Sequence, residues 1–151
     1  MAQRSAPSES QAAVPLLETK LHRPTGTSLQ VARPRLLQQL AASADGRLTL
    51  VSAPAGYGKT ALVSGWLAAC GCPYAWLSLD EHDDDLESFL VYLVAAVRTA
   101  WPQALENFAL LLNTPVLLPP HRLADALLQE LLALPGPLIL ALDDYHTMTA
   151  P

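Results

Sequence analysis

Residues 53–60 read A-P-A-G-Y-G-K-T, and no other stretch of the chain is as informative. The octapeptide matches the phosphate-binding signature G-x-x-x-x-G-K-[ST], except that Ala53 replaces the first glycine. An apolar run, L-T-L-V at residues 48–51, precedes it, and an amphipathic segment follows at residues 61–69. A strand, a loop and a helix in this order direct backbone N–H groups and a helix N-terminus at one point, which suits a polyphosphate.

The side chains and glycines of this loop have separate predicted roles. Gly56 and Gly58 permit backbone angles and a close approach that a Cβ would block. Lys59 is predicted to reach the β- and γ-phosphates of ATP or ADP, and the Thr60 hydroxyl to ligate Mg²⁺. A glycine-rich turn followed by an ordinary lysine is the alternative, which the flanking strand and helix and a second motif disfavour. The predicted nucleotide-binding residues here are Ala53, Pro54, Ala55, Gly56, Tyr57, Gly58, Lys59, Thr60 and Ala61.

The second motif is L-I-L-A-L-D-D at residues 138–144. Five apolar residues before two acids are typical of a buried parallel strand that ends at the ligand-binding edge of an α/β sheet. Asp143 is predicted to hold Mg²⁺ through water, as a Walker B aspartate does. Asp144 is predicted to polarise an attacking water, so Asp144 and Lys59 are the candidate catalytic residues. The alternative, a strand followed by an Asp-rich turn, is common, but the upstream Walker A match favours the nucleotide site.

Composition indicates a core-rich globular chain. Of its 151 residues 51% are hydrophobic and 15% are charged, which is enough for one domain with a sizeable core. The net charge of −5 argues against nucleic-acid binding by this segment alone. Residues 1–15 are expected to form a disordered leader without the apolar region of a signal peptide. No apolar run approaches the ~20 residues that span a bilayer, so we expect a cytoplasmic protein without membrane contact.

Periodicity and turn residues predict an alternation of helices and strands. The acidic run at residues 80–85 lacks the spacing of a calcium loop and is predicted to cap the helix that follows. Cys70 and Cys72 are predicted to be structural thiols, because a zinc site would need further ligands. The predicted strands are 47–52, 74–79 and 138–142, and the predicted helices are 35–42, 59–70, one from residue 86, a short one within 101–120, and 121–134. This order predicts a parallel α/β sheet with right-handed crossovers.

Five stretches of the chain together resemble the MalT-like regulators, the large ATP-binding members of the LuxR family. They occur in the order of that family and lie between residue 16 and the C-terminus. The stretches are T-K-L-H-R-P (19–24), V-A-R-P-R-L (31–36), L-V-S-A-P-A-G-Y-G-K-T (50–60), A-W-L-S-L-D-E (75–81) and L-D-D-Y-H (142–146). The resemblance implies a STAND-class P-loop NTPase of the ASCE/RecA-like kind, a three-layer parallel sheet flanked by helices.

The resemblance also implies a nucleotide-gated switch with slow ATP hydrolysis. ADP would hold a closed monomer, and ATP with an inducer would give a self-associating form that binds DNA through C-terminal domains. Val31 and Arg33 would lie on the adenine side, within an arm and short helix at residues 16–46. Residues 47–151 would form a partial NTPase domain that ends before the strand expected between 48–52 and 138–142. Ala61 replaces a hydroxyl residue often found there, which removes one possible phosphate contact.

Two other functions stay open from the residues. One is a small P-loop kinase or metabolic NTPase, which would need an acceptor-binding lid after residue 144. The other is a truncated product without activity of its own. In either setting we expect residues 1–151 alone to be a poor ATPase that does not bind DNA.

Overall fold

Five α-helices and two β-strands are found in the part of the chain that the computed structural model describes, residues 16–25, 33–43, 46–114 and 118–148. None of these helices is long and apolar enough to cross a membrane. The elements are α1 (Pro34–Ala42), α2 (Lys59–Cys70), β1 (Tyr74–Ser78), α3 (Leu86–Ala100), α4 (Glu106–Leu112), α5 (Pro120–Leu132) and β2 (Ile139–Asp143), with 3₁₀ turns at Glu18–Leu21, Glu81–Asp83 and Tyr145–Thr147. The predicted α/β class is confirmed.

The two strands pair in parallel, with Tyr74 opposite Ile139 and Ser78 opposite Asp143. Backbone hydrogen bonds extend the ladder at both ends, from Ile139 N–H to the Pro73 carbonyl and from Leu79 N–H to the Asp143 carbonyl, each 3.0 Å long. The carboxyl ends of β1 and β2 therefore lie at one edge of the sheet, where parallel α/β proteins bind ligands.

The strand predicted at residues 47–52 is wrong. These residues form no ladder with β1 or β2, and Leu48 and Leu50 are 88% and 82% exposed. An extended segment becomes a strand only where a neighbour satisfies its N–H and C=O groups. Among the described residues no strand pairs with the apolar run, although β1 and β2 each have one unpaired side.

The core lies between β1 and α3. Ala75, Leu77 and Leu79 are buried on one face of β1, as the two-residue period of a strand requires. The helix that packs on them, α3, buries Leu90, Leu93, Val94, Ala96 and Val97. This confirms the helical period predicted from residue 86 onward. Leu105 and Phe108 complete the cluster from the segment that leads into and through α4.

The face of α2 that is buried differs from the predicted one. The spacing of Leu62, Val63 and Trp66 predicts that they face the sheet, but they are only half-buried, and the buried residues of α2 are Ser64 and Leu67. Apolar residues also occur on the other sides of the helix, so the sequence period gives only a weak indication of which face turns inward.

The spacing of the leucines in α5, at positions 123, 127, 128, 131 and 132, predicts one inward side, which is confirmed only in part. Leu123, Leu127 and Leu131 pack against the core, whereas Leu128 and Leu132 are exposed. The inward stripe is thus narrower than the leucine pattern suggests, because it follows a spacing of four residues along a single line.

The acidic run after β1 caps two helical segments, as predicted. Asp80 and Asp83 form a reciprocal capping box around the 3₁₀ turn at Glu81–Asp83. Asp85 is the N-cap of α3 and accepts a 2.9 Å hydrogen bond from the Ser88 N–H. That hydrogen bond lowers the pKa of Asp85 below its ordinary value.

Replacing Asp85 by alanine is expected to lower the free energy of unfolding by about 1 kcal/mol, because the Ser88 N–H loses its partner. The measurement is urea unfolding followed by circular dichroism. Glu87→Gln is the matched control, since Glu87 is an exposed acid in the same turn, and removing its charge should change stability by about 0.3 kcal/mol. Equal losses in the two variants would contradict the capping role.

Residues 16–25, here called the arm, pack along β1 and α3. Lys20 is buried, and its Nζ lies 2.8 and 2.9 Å from the two carboxylate oxygens of Asp83. The same Nζ lies 2.8 Å from Asp80 and 4.8 Å from the centre of the Tyr92 ring. The arm is therefore held at the carboxyl end of β1 by a buried ion pair.

Candidate functional site

The glycine-rich loop between residue 52 and α2 adopts left-handed backbone angles at two positions. Gly56 has φ +79° and Gly58 has φ +76°, a region that residues with a Cβ rarely enter. A Cβ at Gly58 would also meet the Arg33 guanidinium at 3.5 Å. Left-handed residues among right-handed ones produce the concave N–H arrangements that bind anions. The loop thus has the backbone conformation expected of a phosphate-binding segment.

Lys59, the first residue of α2, folds back over this loop. Its Nζ donates to the Ala53 carbonyl at 3.0 Å and to the Pro54 carbonyl at 3.4 Å. The ammonium group is therefore held at the loop by two neutral acceptors. A phosphate oxygen would compete well for it, because hydrogen bonds between charged groups are roughly twice as strong as neutral ones.

Thr60 and Asp143, the two predicted Mg²⁺ ligands, are in direct contact. The Thr60 hydroxyl lies 2.9 Å from Asp143 Oδ1, and this hydrogen bond connects the start of α2 with the end of β2. Burial raises the pKa of Asp143 above its ordinary value, and the neighbouring Asp144 charge acts in the same direction. The Thr60 hydrogen bond and the Lys59 charge oppose this rise in pKa. The structure therefore brings together the two motifs that the sequence singled out.

The pair also fits a magnesium ion chemically. Hydroxyl and carboxylate oxygens are hard ligands, and Mg²⁺ is usually held by one or two protein oxygens together with water and phosphate. Within the described ranges no group of three or more His, Cys, Asp and Glu side chains converges. The oxygen atoms of Thr60 and Asp143 are therefore the ones that the metal prediction rests on, and metal binding by them stays a prediction.

Asp144 follows Asp143 directly and begins the turn after β2. Its backbone is left-handed, with φ +56°, a conformation that Asp tolerates better than most residues. The carboxylate is half-exposed, and its Oδ1 lies 3.8 Å from His146 Nδ1. In the part of the chain with described coordinates, no hydrogen bond joins Asp144 to Lys59 or Thr60. Its role toward water therefore stays a prediction.

Arg33 lies beside the glycine-rich loop, where it precedes α1. Its Nη1 donates a 2.6 Å hydrogen bond to the Tyr57 carbonyl. Val31, the other residue predicted on the adenine side, lies outside the described residues. The adenine role of both residues stays a prediction, but Arg33 is adjacent to the loop as that role requires.

Two charged residues near the site were missed from the sequence. Lys20 pairs with Asp83, and Arg23 contacts α2, over separations of 63 and 41 residues. Both belong to the T-K-L-H-R-P stretch, which carried part of the family resemblance without any assigned contact. That stretch is the one sequence signal that could have indicated them, since periodicity does not predict an ion pair or a hydrogen bond between residues this far apart in sequence.

Fold and site together define an α/β protein in which a glycine-rich loop and a strand-end carboxylate meet at one edge of a parallel sheet. The chain is a relative of the MalT transcriptional regulators. It is 40% identical over 136 residues to the HTH-type transcriptional regulator MalT of Cronobacter sakazakii, a match of 90% of this chain and 15% of that protein. The MalT proteins of Yersinia pestis and Yersinia pseudotuberculosis are also 40% identical, over 134 residues.

The chain spans about 15% of the length of these relatives. No protein-family model matches it. The predicted kinship with MalT-like regulators of the LuxR family is confirmed by these matches.

Proposed function

We propose that this chain binds ATP and ADP with Mg²⁺ at the candidate site and serves as the nucleotide-gated part of a MalT-like transcriptional regulator. The observation that carries the proposal is the contact between Thr60 and Asp143, which joins the two motifs at the carboxyl edge of the sheet. Kinship with MalT supports the same reading, because it extends over 90% of the chain.

The residues of the site would bind the nucleotide through their backbone and charge. The N–H groups of the loop around Gly56 and Gly58 accommodate phosphate oxygens, aided by the N-terminus of α2. Lys59 leaves the Ala53 and Pro54 carbonyls and donates to phosphate oxygens instead, exchanging neutral hydrogen bonds for charge-assisted ones. Arg33, beside the Tyr57 carbonyl, is proposed to act on the adenine side, and the same role is proposed for Val31 from the family resemblance alone.

Thr60 would hold the metal ion through its hydroxyl and Asp143 would hold it through water, once their mutual hydrogen bond opens. A bound Mg²⁺ supplies positive charge that offsets the charge on the phosphates. Asp143 then carries its negative charge more readily, because a cation opposes the effect of burial on its pKa. Asp144 orients an attacking water, which makes slow hydrolysis the step that resets the switch.

In the complete regulator, self-association and the binding of inducer and DNA would depend on regions other than this chain. The net charge of −5 gives this segment no electrostatic attraction for DNA phosphates. The relatives are named for a helix-turn-helix, and we assign DNA binding to such a domain elsewhere in the regulator.

Replacing Lys59 by alanine is expected to weaken Mg·ATP binding about 30-fold, or about 2 kcal/mol, because a charge-assisted phosphate contact is lost. Titration with a fluorescent ATP analogue measures the affinity. Arg122→Ala is the control, since Arg122 is an exposed cation on α5 and its loss should leave the affinity unchanged. Equal affinities of wild type and Lys59→Ala would refute the proposed site.

A further inference from the structure

The rotation of α2 about its own axis is poorly fixed by hydrophobic burial. Apolar residues occupy most of the circumference of the helix, so turning it would exchange one largely apolar face for another at little cost in buried area. Yet α2 carries Lys59 and Thr60, whose positions at the loop depend on that rotation. The apolar residues are Ala61, Leu62, Val63, Trp66, Leu67, Ala68 and Ala69.

Two polar contacts on one face of α2 restrict this rotation. Thr60 and Ser64 are four residues apart and therefore lie on the same side of the helix, one turn from each other. Thr60 donates to Asp143, as described above. Ser64 is 1% exposed, and its hydroxyl donates to the Pro24 carbonyl and accepts a 2.8 Å hydrogen bond from Arg23 Nη1. The same Nη1 lies 3.0 Å from the Ser64 carbonyl.

Arg23 is itself anchored to the sheet. Its Nε lies 3.2 Å from the Tyr74 hydroxyl, and its guanidinium carbon lies 5.9 Å from the centre of that ring. Tyr74 begins β1 at the amino edge, whereas Asp143 ends β2 at the carboxyl edge. Two successive turns of one polar face thus attach the helix to both ends of the paired strands. Ser64 does so at the amino end through Arg23, and Thr60 at the carboxyl end through Asp143.

We propose that Arg23 is a positioning residue that fixes the rotation of α2 and thereby the placement of Lys59 and Thr60, an inference that rests on the proposed nucleotide site. Among the described residues Arg23 makes no hydrogen bond to the loop or to Asp143, and its contact with α2 is through Ser64. The arm therefore belongs functionally to the nucleotide site, although Arg23 bonds to the sheet at the opposite edge.

The test is the affinity of the 151-residue chain for Mg·ATP after Arg23→Ala. We expect binding about tenfold weaker, as for the loss of a residue that orients the binding side chains without contacting the ligand itself. Arg98→Ala is the matched control: Arg98 donates to the carbonyls of Ala104 and Leu105 and so joins α3 to the start of α4. It should lower stability but leave the affinity of the folded protein unchanged. If Arg23→Ala does not fold, Arg23→Lys replaces it, because lysine keeps the positive charge but cannot contact Ser64 and Tyr74 together.

A second measurement needs no nucleotide. Amide hydrogen exchange should accelerate within α2 in Arg23→Ala while exchange in α3 stays as in wild type. Adding Ser64→Ala to Arg23→Ala should change little further, because both remove the same contact. Unchanged exchange in α2, or unchanged affinity in a chain that binds ATP, would overturn the inference. A wild-type chain that binds no ATP would refute the proposed function. Amide hydrogen exchange would still decide whether Arg23 fixes the rotation of α2.

Discussion

Replacing Lys20 by methionine is expected to lower the free energy of unfolding by about 3 kcal/mol. Asp83 is 1% exposed, and its carboxylate faces the Lys20 ammonium at 2.8 and 2.9 Å. Methionine keeps much of the apolar stem of lysine but removes the charge, so Asp83 would remain as an uncompensated buried anion. Urea unfolding followed by circular dichroism measures the loss.

His82→Ala is the control for this prediction. His82 pairs with Asp80 at 3.3 Å, but both side chains are exposed, and exposed pairs contribute about 1 kcal/mol or less. The double variant Lys20→Met with Asp83→Leu should recover part of the loss, because no buried charge then lacks a partner. A loss below about 1 kcal/mol in Lys20→Met alone would show that the ion pair does not hold the arm.

The contribution of this cluster should also depend on pH in a definite way. Burial lowers the pKa of Lys20, but hydrogen bonds to Asp80 and Asp83 outweigh it and raise that pKa above 10.5. The Lys20 hydrogen bond lowers the pKa of Asp80 below 3.8. The stability difference between wild type and Lys20→Met should therefore be largest between these values. It should shrink as the pH rises through the folded pKa of Lys20 or falls through that of Asp80.

The sequence predicted best where local signals agreed. The helical period from Leu86 to Val97 and the capping acids before it specify α3 without help from the rest of the chain. Residues 47–52 show the opposite case, because a strand exists only when another strand pairs with it and the pattern L-T-L-V cannot supply that partner. The buried face of α2 was misplaced because an apolar helix carries no directional signal.

The residues of the candidate site also fall into two groups, those that a local motif predicts and those whose contacts depend on tertiary packing. Thr60 and Asp143 were each predicted to bind Mg²⁺, because each belongs to a motif whose chemistry uses that ion; their direct contact was not predicted. The contacts of Lys20 and Arg23 were not predicted, since a single charged residue can pair with any opposite charge or carbonyl that the fold brings near. Such contacts depend on tertiary packing and leave no periodic trace in the sequence.

Asp143→Asn and Asp144→Asn are expected to separate metal binding from hydrolysis. In Asp143→Asn the gain in ATP affinity on adding Mg²⁺ should largely disappear, because an amide is a much weaker ligand for a hard cation than a carboxylate. Asp144→Asn should bind Mg·ATP as wild type does, since no hydrogen bond joins Asp144 to Thr60 or Lys59 among the described residues. Its hydrolysis should slow about 100-fold or more, as for the loss of a group that acts on the attacking water.

The measurement that separates the two roles is single-turnover phosphate release with protein in excess, run beside titrations with and without Mg²⁺. Water activation matters only in the transition state, so a residue with that role changes the rate and spares the affinity. Glu106→Gln, an exposed acid at the start of α4, should change neither quantity. Equal loss of ATP affinity in Asp143→Asn and Asp144→Asn would show that both carboxylates bind the metal. Normal hydrolysis in Asp144→Asn would mean that another group of this chain activates the water.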